Sequence, residues 1–373
     1  GLGDGYKRQT LANAKSQYAT LVSVHSTKVD ADIKGDLPTV DKKVQVDGTG
    51  KDATDAKIGD TLTFTLTSTI PDMSAYDTYT FNFKDTLSKG LTFGQVKSVK
   101  VENVTLTENT DYTVTTPTAS NNNTLTVAMK DFKTKQQANA GKKITVTYTA
   151  TLNENAVVGG AGNVNSAKIQ YSNNPSTNGT GESEPSKVRV FTYGFTVDKY
   201  TGDQYTDAAT RLAGAEFTLA HKDGSAISFV QVSAGSATAN AVYRVAKAGE
   251  TGTTTITTPA NGKVVFEGLK NGEYTLTETE APAGYNKLAS AIGVKVNGQN
   301  NGTDTTNATV TITYNNDNGN DYNQTASNGV IPVQNKSGAI LPGTGGMGTI
   351  AFTVIGVLVI ALGVAWTLKR KNA

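Results

Sequence analysis

The stretch Tyr274-Thr275-Leu276-Thr277-Glu278-Thr279-Glu280-Ala281-Pro282-Ala283-Gly284-Tyr285 decides how the chain folds. Side chains alternate between faces along a strand, so Tyr274, Leu276 and Glu278 share one face. Two of the three are apolar. That turns the face toward a core and carries Glu278 in with it, while Thr277 lies on the solvent side. Pro282 and Gly284 then end the strand in a turn. An ionised carboxylate buried alone costs several kcal/mol, so Glu278 must protonate or find a partner.

Two other stretches repeat the pattern. In Phe195-Thr196-Val197-Asp198-Lys199 the residues Phe195, Val197 and Lys199 share a face, so an amine points inward. In Ile331-Pro332-Val333-Gln334-Asn335 the inward polar group is the carboxamide of Asn335. Each alone would weaken a core; together they form a reactive trio. Burial lowers the pKa of a lysine and raises that of a glutamate. A neutral Lys199 amine can attack the Asn335 amide carbon while Glu278 moves the protons. Ammonia leaves and an isopeptide bond joins the first strand of the segment to the last. The competing arrangement is a buried Lys199–Glu278 salt bridge without reaction.

An earlier segment has the same logic with an aspartate. Pro38-Thr39-Val40-Asp41-Lys42-Lys43-Val44 places Val40, Lys42 and Val44 on one face, which favours Lys42 over Lys43 as the inward amine. Phe81-Asn82-Phe83-Lys84-Asp85 puts Asp85 on the face of two phenylalanines. Asn165 shares the face of Ala167, Ile169 and Tyr171, which favours it over Asn163.

Around these stretches the chain reads as all-β. Runs at 61–69, 78–84, 99–106, 124–129, 143–152 and 167–171 alternate, with turn-rich segments between them. A second series covers 195–199, 215–219, 241–245, 263–266, 274–278, 291–296, 308–314 and 331–334. Short strands with this punctuation predict tandem immunoglobulin-like β-sandwich domains, at 36–189 and 190–337. The segments 173–185 and 315–328 read as loops. Residues 1–35 read as the remnant of a further N-terminal domain plus a linker: 18–25 alternate as a last strand would, and 1–9 are set aside as artefactual. The start has neither an initiator Met nor a signal peptide, so the chain reads as a fragment or processed product.

Composition narrows the function. The net charge is +2, which gives no footing for nucleic acid. With no cysteine, any covalent staple must come from other chemistry. The two histidines, His25 and His221, lie far apart in sequence, so neither a metal site nor a histidine-based triad is expected. No nucleophile–His pair and no phosphate-binding glycine loop stands out. The reading therefore includes no enzyme, no cofactor and no metal.

The tail, residues 338–373, has three parts. Leu341-Pro342-Gly343-Thr344-Gly345 precedes an uncharged run at 349–368, and Lys369, Arg370 and Lys371 follow. At about 1.5 Å per residue, a helix that long crosses the roughly 30 Å bilayer core. The basic cluster holds the C-terminus inside, so everything upstream faces out.

This tail resembles the cell-wall sorting signal of Gram-positive surface proteins. The resemblance implies that a sortase cuts between Thr344 and Gly345 and holds Thr344 as a thioester until an amine takes the acyl group. The 274–285 stretch resembles the E-box of Gram-positive shaft pilins, and residues 190–337 resemble a Cna-B-type domain, including the second-strand entry Leu212-Ala213-Gly214-Ala215-Glu216-Phe217. It implies Lys199 as nucleophile, Asn335 as electrophile and Glu278 as proton shuttle. The earlier segment, with Tyr171-Ser172-Asn173-Asn174-Pro175, resembles the Cna-A-like middle domain of the same pilins. There the carry-over is Lys42, Asn165 and, as proton shuttle, Asp85. Closing loops of about 123 and about 136 residues would remove roughly 5 kcal/mol of denatured-state entropy each, by analogy with a disulfide.

Shaft pilins accept the next subunit on a lysine in a Tyr-Pro-Lys motif. None occurs in this chain. In its place, the region 24–35 offers Lys28 and Lys34, each readable as an acceptor or as a solvated lysine. The implied function is a structural subunit of a pilus on the extracellular, wall-anchored surface. Its implied partners are a sortase, neighbouring pilin subunits and a peptidoglycan precursor or the cell wall; the residues name no host ligand. The alternative is a monomeric wall-anchored adhesin that uses the same domains as a stalk.

Overall fold

The computed structural model describes residues 37–299, 308–316 and 321–338. The N-terminal segment with Lys28 and Lys34, the 341–345 pentapeptide, the 349–368 span and the basic tail lie outside these residues. Among the described residues no helix is long and apolar enough to cross a membrane.

Four sheets account for nearly all of the regular structure. One is built around Asp41–Val46, Thr61–Thr69, Lys143–Leu152 and Leu91–Val101, in that spatial order. It faces a second sheet in which Ser186–Phe191, Asn163–Ser172, Phe81–Leu87, Thr124–Met129 and Tyr112–Thr115 lie side by side. Alternation explains the core between them. Phe64 and Leu66, Val146 and Tyr148, Phe81 and Phe83, and Ala167, Ile169 and Tyr171 are all buried.

The second pair of sheets follows at once. Tyr193–Thr201, Lys263–Leu269, Ala241–Val245 and Phe229–Ser233 form one, and Val330–Gln334 runs parallel to Tyr193–Thr201. Glu216–His221, Gly272–Glu280, Ile292–Gln299 and Thr309–Asn315 form the other. The only α-helix among the described residues is the five-residue Phe132–Gln136.

Several elements differ from expectation. The strand expected at 78–84 is Phe81–Leu87, which places Asp85 inside the strand. The run expected at 99–106 is the end of an eleven-residue strand, Leu91–Val101, plus the two-residue Val104–Thr105. Only three side chains of that long strand are fully buried, so it shows little alternation. Part of the loop expected at 173–185 pairs as Thr180–Glu182 on Asn163–Ser172. The strand Ser186–Phe191 belongs to the first pair of sheets, so the boundary expected at 189 falls inside it.

A single residue, Thr192, separates Ser186–Phe191 from Tyr193–Thr201, and the two pairs of sheets meet there. The Thr192 hydroxyl donates to the Leu269 carbonyl at 3.0 Å. The Ile58 N–H donates to the Gly268 carbonyl at 3.0 Å, and the Asn271 N–H to the Asp55 carboxylate at 2.7 Å. Gly268 has φ +83°, and a Cβ there would stand 2.7 Å from Ile58 Cδ1. The buried apolar side chains form one cluster through this junction, including Ile58, Phe191, Tyr193 and Leu269.

Candidate functional site

Two buried polar clusters interrupt the apolar cores, one in each pair of sheets. In the first, Lys42 comes from one sheet, and Asp85 and Asn165 come from the sheet opposite. Their strands are adjacent: Asp85 pairs with Ala167 and Leu87 with Asn165, so the two side chains are diagonal neighbours on one face. All three residues are fully buried. The Lys42 ammonium contacts Asp85 Oδ2 and donates to the Tyr148 hydroxyl at 2.9 Å. That hydroxyl donates to Asp85 Oδ2 at 2.6 Å and accepts from Asn165 Nδ2 at 2.6 Å. The rings of Phe64 and Tyr148 stand 5.1 Å from Lys42 Nζ.

Burial dominates the electrostatics. It pushes the Lys42 amine down to about 8, against the pull of Asp85 in the other direction. It also pushes the Tyr148 hydroxyl well up, with the Asp85 charge adding to the effect, so the phenol keeps its proton. Asp85 Oδ1 and Asn165 Oδ1 are buried without a hydrogen-bond partner.

The residues weighed against this trio do other work. Lys43 is part-exposed and pairs with Asp52 at 2.6 Å. Asn163 is buried, but its carboxamide binds backbone: it accepts from the Val157 N–H at 2.9 Å and donates to the Val157 and Val190 carbonyls at 3.1 Å.

In the second cluster Lys199 lies on Tyr193–Thr201 and Asn335 directly follows its parallel neighbour Val330–Gln334, and Glu278 reaches them from the opposite sheet. All three are buried. Lys199 Nζ is 3.1 Å from Glu278 Oε1, an ion pair that falls short of an aligned hydrogen bond. Asn335 Nδ2 donates to Glu278 Oε2 at 3.0 Å and to the Asn286 carbonyl at 2.9 Å. The Leu288 N–H donates to Glu278 Oε2 at 2.8 Å. Burial again pushes the lysine amine down to about 8, opposed by the Glu278 charge. Here one carboxylate touches both amine and amide.

Sequence reasoning missed three contributors. Tyr148 sits on the inward face of Lys143–Leu152, where alternation with Ile144 and Val146 could have flagged it. The 286–288 backbone, which holds Asn335 and Glu278 in place, carries no side-chain signal. Asp198 alternates with the inward Val197 and Lys199, yet it too is buried. Arg211 Nε lies 2.7 Å from its Oδ1, and the Tyr205 hydroxyl donates to its Oδ2 at 2.8 Å. Among the described residues no group of three His, Asp or Glu side chains is placed to hold a metal ion.

Each cluster sets a buried amine beside a carboxylate and a carboxamide. Residues 58–175 match the model described as Gram-positive pilin backbone subunit 2, Cna-B-like domain. Residues 203–311 match the SpaA prealbumin-like fold domain, and 333–373 the LPXTG cell wall anchor motif. The description for 58–175 is Cna-B-like, where the sequence resemblance pointed to Cna-A-like. A curated relative, the trypsin-resistant surface T6 protein of Streptococcus pyogenes serotype M6, is 25% identical over 279 residues. The match covers 68% of this chain and 44% of that protein, so the chain spans less than half of its length.

Among solved structures, the 35 kDa C-terminal fragment of the major pilin GBS80 of Streptococcus agalactiae gives a TM-score of 0.55 at 23% identity, covering 80% of this chain and all of that one. The group B streptococcus pilus 2b backbone protein gives 0.52 at 25% identity, covering 81% and 99%. The T6 backbone pilin of Streptococcus pyogenes serotype M6 gives 0.54 at 18% identity, covering 82% and 71%.

Proposed function

We propose that the chain is a Gram-positive pilin backbone protein, anchored to the cell wall through its LPXTG motif, and that it serves as a structural subunit of a sortase-assembled pilus, stapled internally by self-formed Lys–Asn isopeptide bonds. The observation that carries the stapling is the juxtaposition in each cluster. A wholly buried lysine has its amine lowered toward neutrality beside a carboxylate, with an asparagine amide in the same cluster.

The chemistry follows from that setting. The lysine passes a proton to the carboxylate and its free amine attacks Cγ of the asparagine. The amide nitrogen then leaves as ammonia. Two buried charges are replaced by a neutral amide and a protonated acid, which removes much of the desolvation cost of holding ions in a core. Lys199 and Asn335 are linked with Glu278 as the proton shuttle; Lys42 and Asn165 are linked with Asp85.

Assembly uses the tail. Sortase cleaves after Thr344 and transfers its acyl group to a lysine of the next subunit, with Lys28 and Lys34 as the candidates, or to a wall precursor at the base of the fibre. Immunoblotting of cell-wall extracts tests this. A ladder of high-mass species, absent without the sortase, is the expected result. A single anchored band would favour the monomeric adhesin. Stapling has a separate readout: the intact mass of the full chain falls short of the sequence mass by two ammonias.

A further inference from the structure

The two clusters differ in one chemical respect. Glu278 contacts both the amine and the amide of its own cluster, at 3.1 and 3.0 Å. Asp85, one methylene shorter, contacts Lys42 directly, whereas the hydrogen bond from Asn165 Nδ2 ends on the Tyr148 hydroxyl. That hydroxyl in turn donates to Asp85 Oδ2 at 2.6 Å. It therefore touches the nucleophile, the leaving nitrogen and the acid together.

We propose that Tyr148 is a catalytic residue of the first cluster, a proton relay that extends the short reach of Asp85 to the departing amide nitrogen. The proposal rests on the reading of this cluster as an isopeptide site. Lys42 first gives a proton to Asp85. The Nζ lone pair forms a bond to Asn165 Cγ, and the carbonyl π pair moves to Oδ1. An amide nitrogen is a poor proton acceptor, but once Cγ is tetrahedral Nδ2 carries a free lone pair. Tyr148 passes its hydroxyl proton to Nδ2 and takes the proton held by Asp85. Asp85 then takes one proton from Nζ, now bonded to Cγ, the Cγ–Nδ2 bond breaks with its pair on nitrogen, and the carbonyl re-forms. The products are a secondary amide and ammonia, with Asp85 and Tyr148 protonated as before the attack. The buried phenol suits this role because its surroundings hold it neutral, so it can lend a proton only as it receives one.

The test is a time course of ammonia loss in the full chain, made in a host without sortase, with peptide mapping to assign each link. Tyr148→Phe is expected to slow the Lys42–Asn165 link by about 10²-fold or more, the scale of a lost general acid, and to leave the Lys199–Asn335 link at its normal rate. That second link is the control for the second pair of sheets; protease resistance of residues 37–191 reports that the first pair has folded in the variant. Asp85→Glu combined with Tyr148→Phe is expected to restore the first link, because the longer acid reaches the amide unaided. Normal closure of the first link in Tyr148→Phe overturns the relay. So does failure of the double variant, which would leave the ring a packing role only. A wild-type chain that closes only Lys199–Asn335 refutes the isopeptide reading of the first cluster itself, which the variants would not have done.

Discussion

Lys199 and Asn335, separated by most of the second pair of sheets in sequence, are brought together by one parallel pairing: Lys199 pairs with Val333, and the N–H of Asn335, directly after Val330–Gln334, donates to the Tyr200 carbonyl at 3.0 Å. Sheet pairing alone thus brings amine and carboxamide together before any side-chain contact is made. Glu278 then closes the cluster from across the core.

Removing either end of this arrangement should have different costs. Asn335→Ala loses the link but keeps the Lys199–Glu278 pair. Glu278→Ala loses the link and leaves a buried amine without its counter-charge, worth roughly 3–5 kcal/mol more. Both variants should retain one more ammonia than wild type in intact mass. Calorimetry should rank the melting temperatures as wild type, then Asn335→Ala, then Glu278→Ala. The first step should be roughly 10–20 °C for a loss of about 5 kcal/mol in a unit this size. Equal melting of the two variants would argue against the pairing.

The unlinked Asn335→Ala protein should grow more stable as pH rises from about 8 toward 10.5. Lys199 has its amine lowered to about 8 in the fold against an ordinary value of 10.5, so in that window the unfolded chain binds more protons. Stability then rises with pH by at most roughly 3 kcal/mol. Denaturant melts across this range, with Lys199→Met in the same background as reference, isolate the effect. A flat difference between the two would show that the amine is not depressed.

The junction between the two pairs of sheets should depend on Gly268. A valine there meets Ile58 at less than contact distance and is strained by the positive φ. Gly268→Val should cost roughly 1–3 kcal/mol and broaden the range of inter-domain angles seen by small-angle scattering. The isopeptide masses should not change, because neither Gly268 nor Ile58 takes part in the polar contacts of either cluster.

Single-molecule pulling should show the same division of labour. Wild type should release none of the chain enclosed by Lys199 and Asn335, whereas Asn335→Ala should release about 136 residues in one further event. An identical unfolding length in both proteins would mean that no link forms.

Much of this was legible from alternation. Thr61–Thr69, Thr124–Met129 and Lys143–Leu152 begin and end where the pattern does, because each has one face on a core. The inward polar residues Lys199, Glu278 and Asn335 could be picked out for the same reason. Leu91–Val101 could not, since only three of its eleven residues are buried and irregularities shift its register against Lys143–Leu152. Phe229–Ser233, an edge strand, was hidden in the same way. Tyr148 counted as an apolar ring in the pattern. What its hydroxyl meets is set by the opposite sheet, through the pairing of Asp85 and Asn165 strands, which no local period encodes. The Asn286 and Leu288 contacts are backbone contacts and leave no trace in residue type.

The strand Ser186–Phe191 is held by sheet hydrogen bonds and by the burial of Val188, Val190 and Phe191, with no covalent tie: it lies after Asn165 and before Lys199, outside both enclosed loops. With both links made, tension runs from Lys42 across to Asn165, along residues 166–198, and from Lys199 across to Asn335. The stretch 166–198 is the one part between the links that can lengthen, to at most roughly 110 Å from end to end when drawn straight. Each subunit would then act as a spring with a stop, yielding a fixed distance under a sudden tug, resisting beyond it, and recoiling as the strand re-pairs.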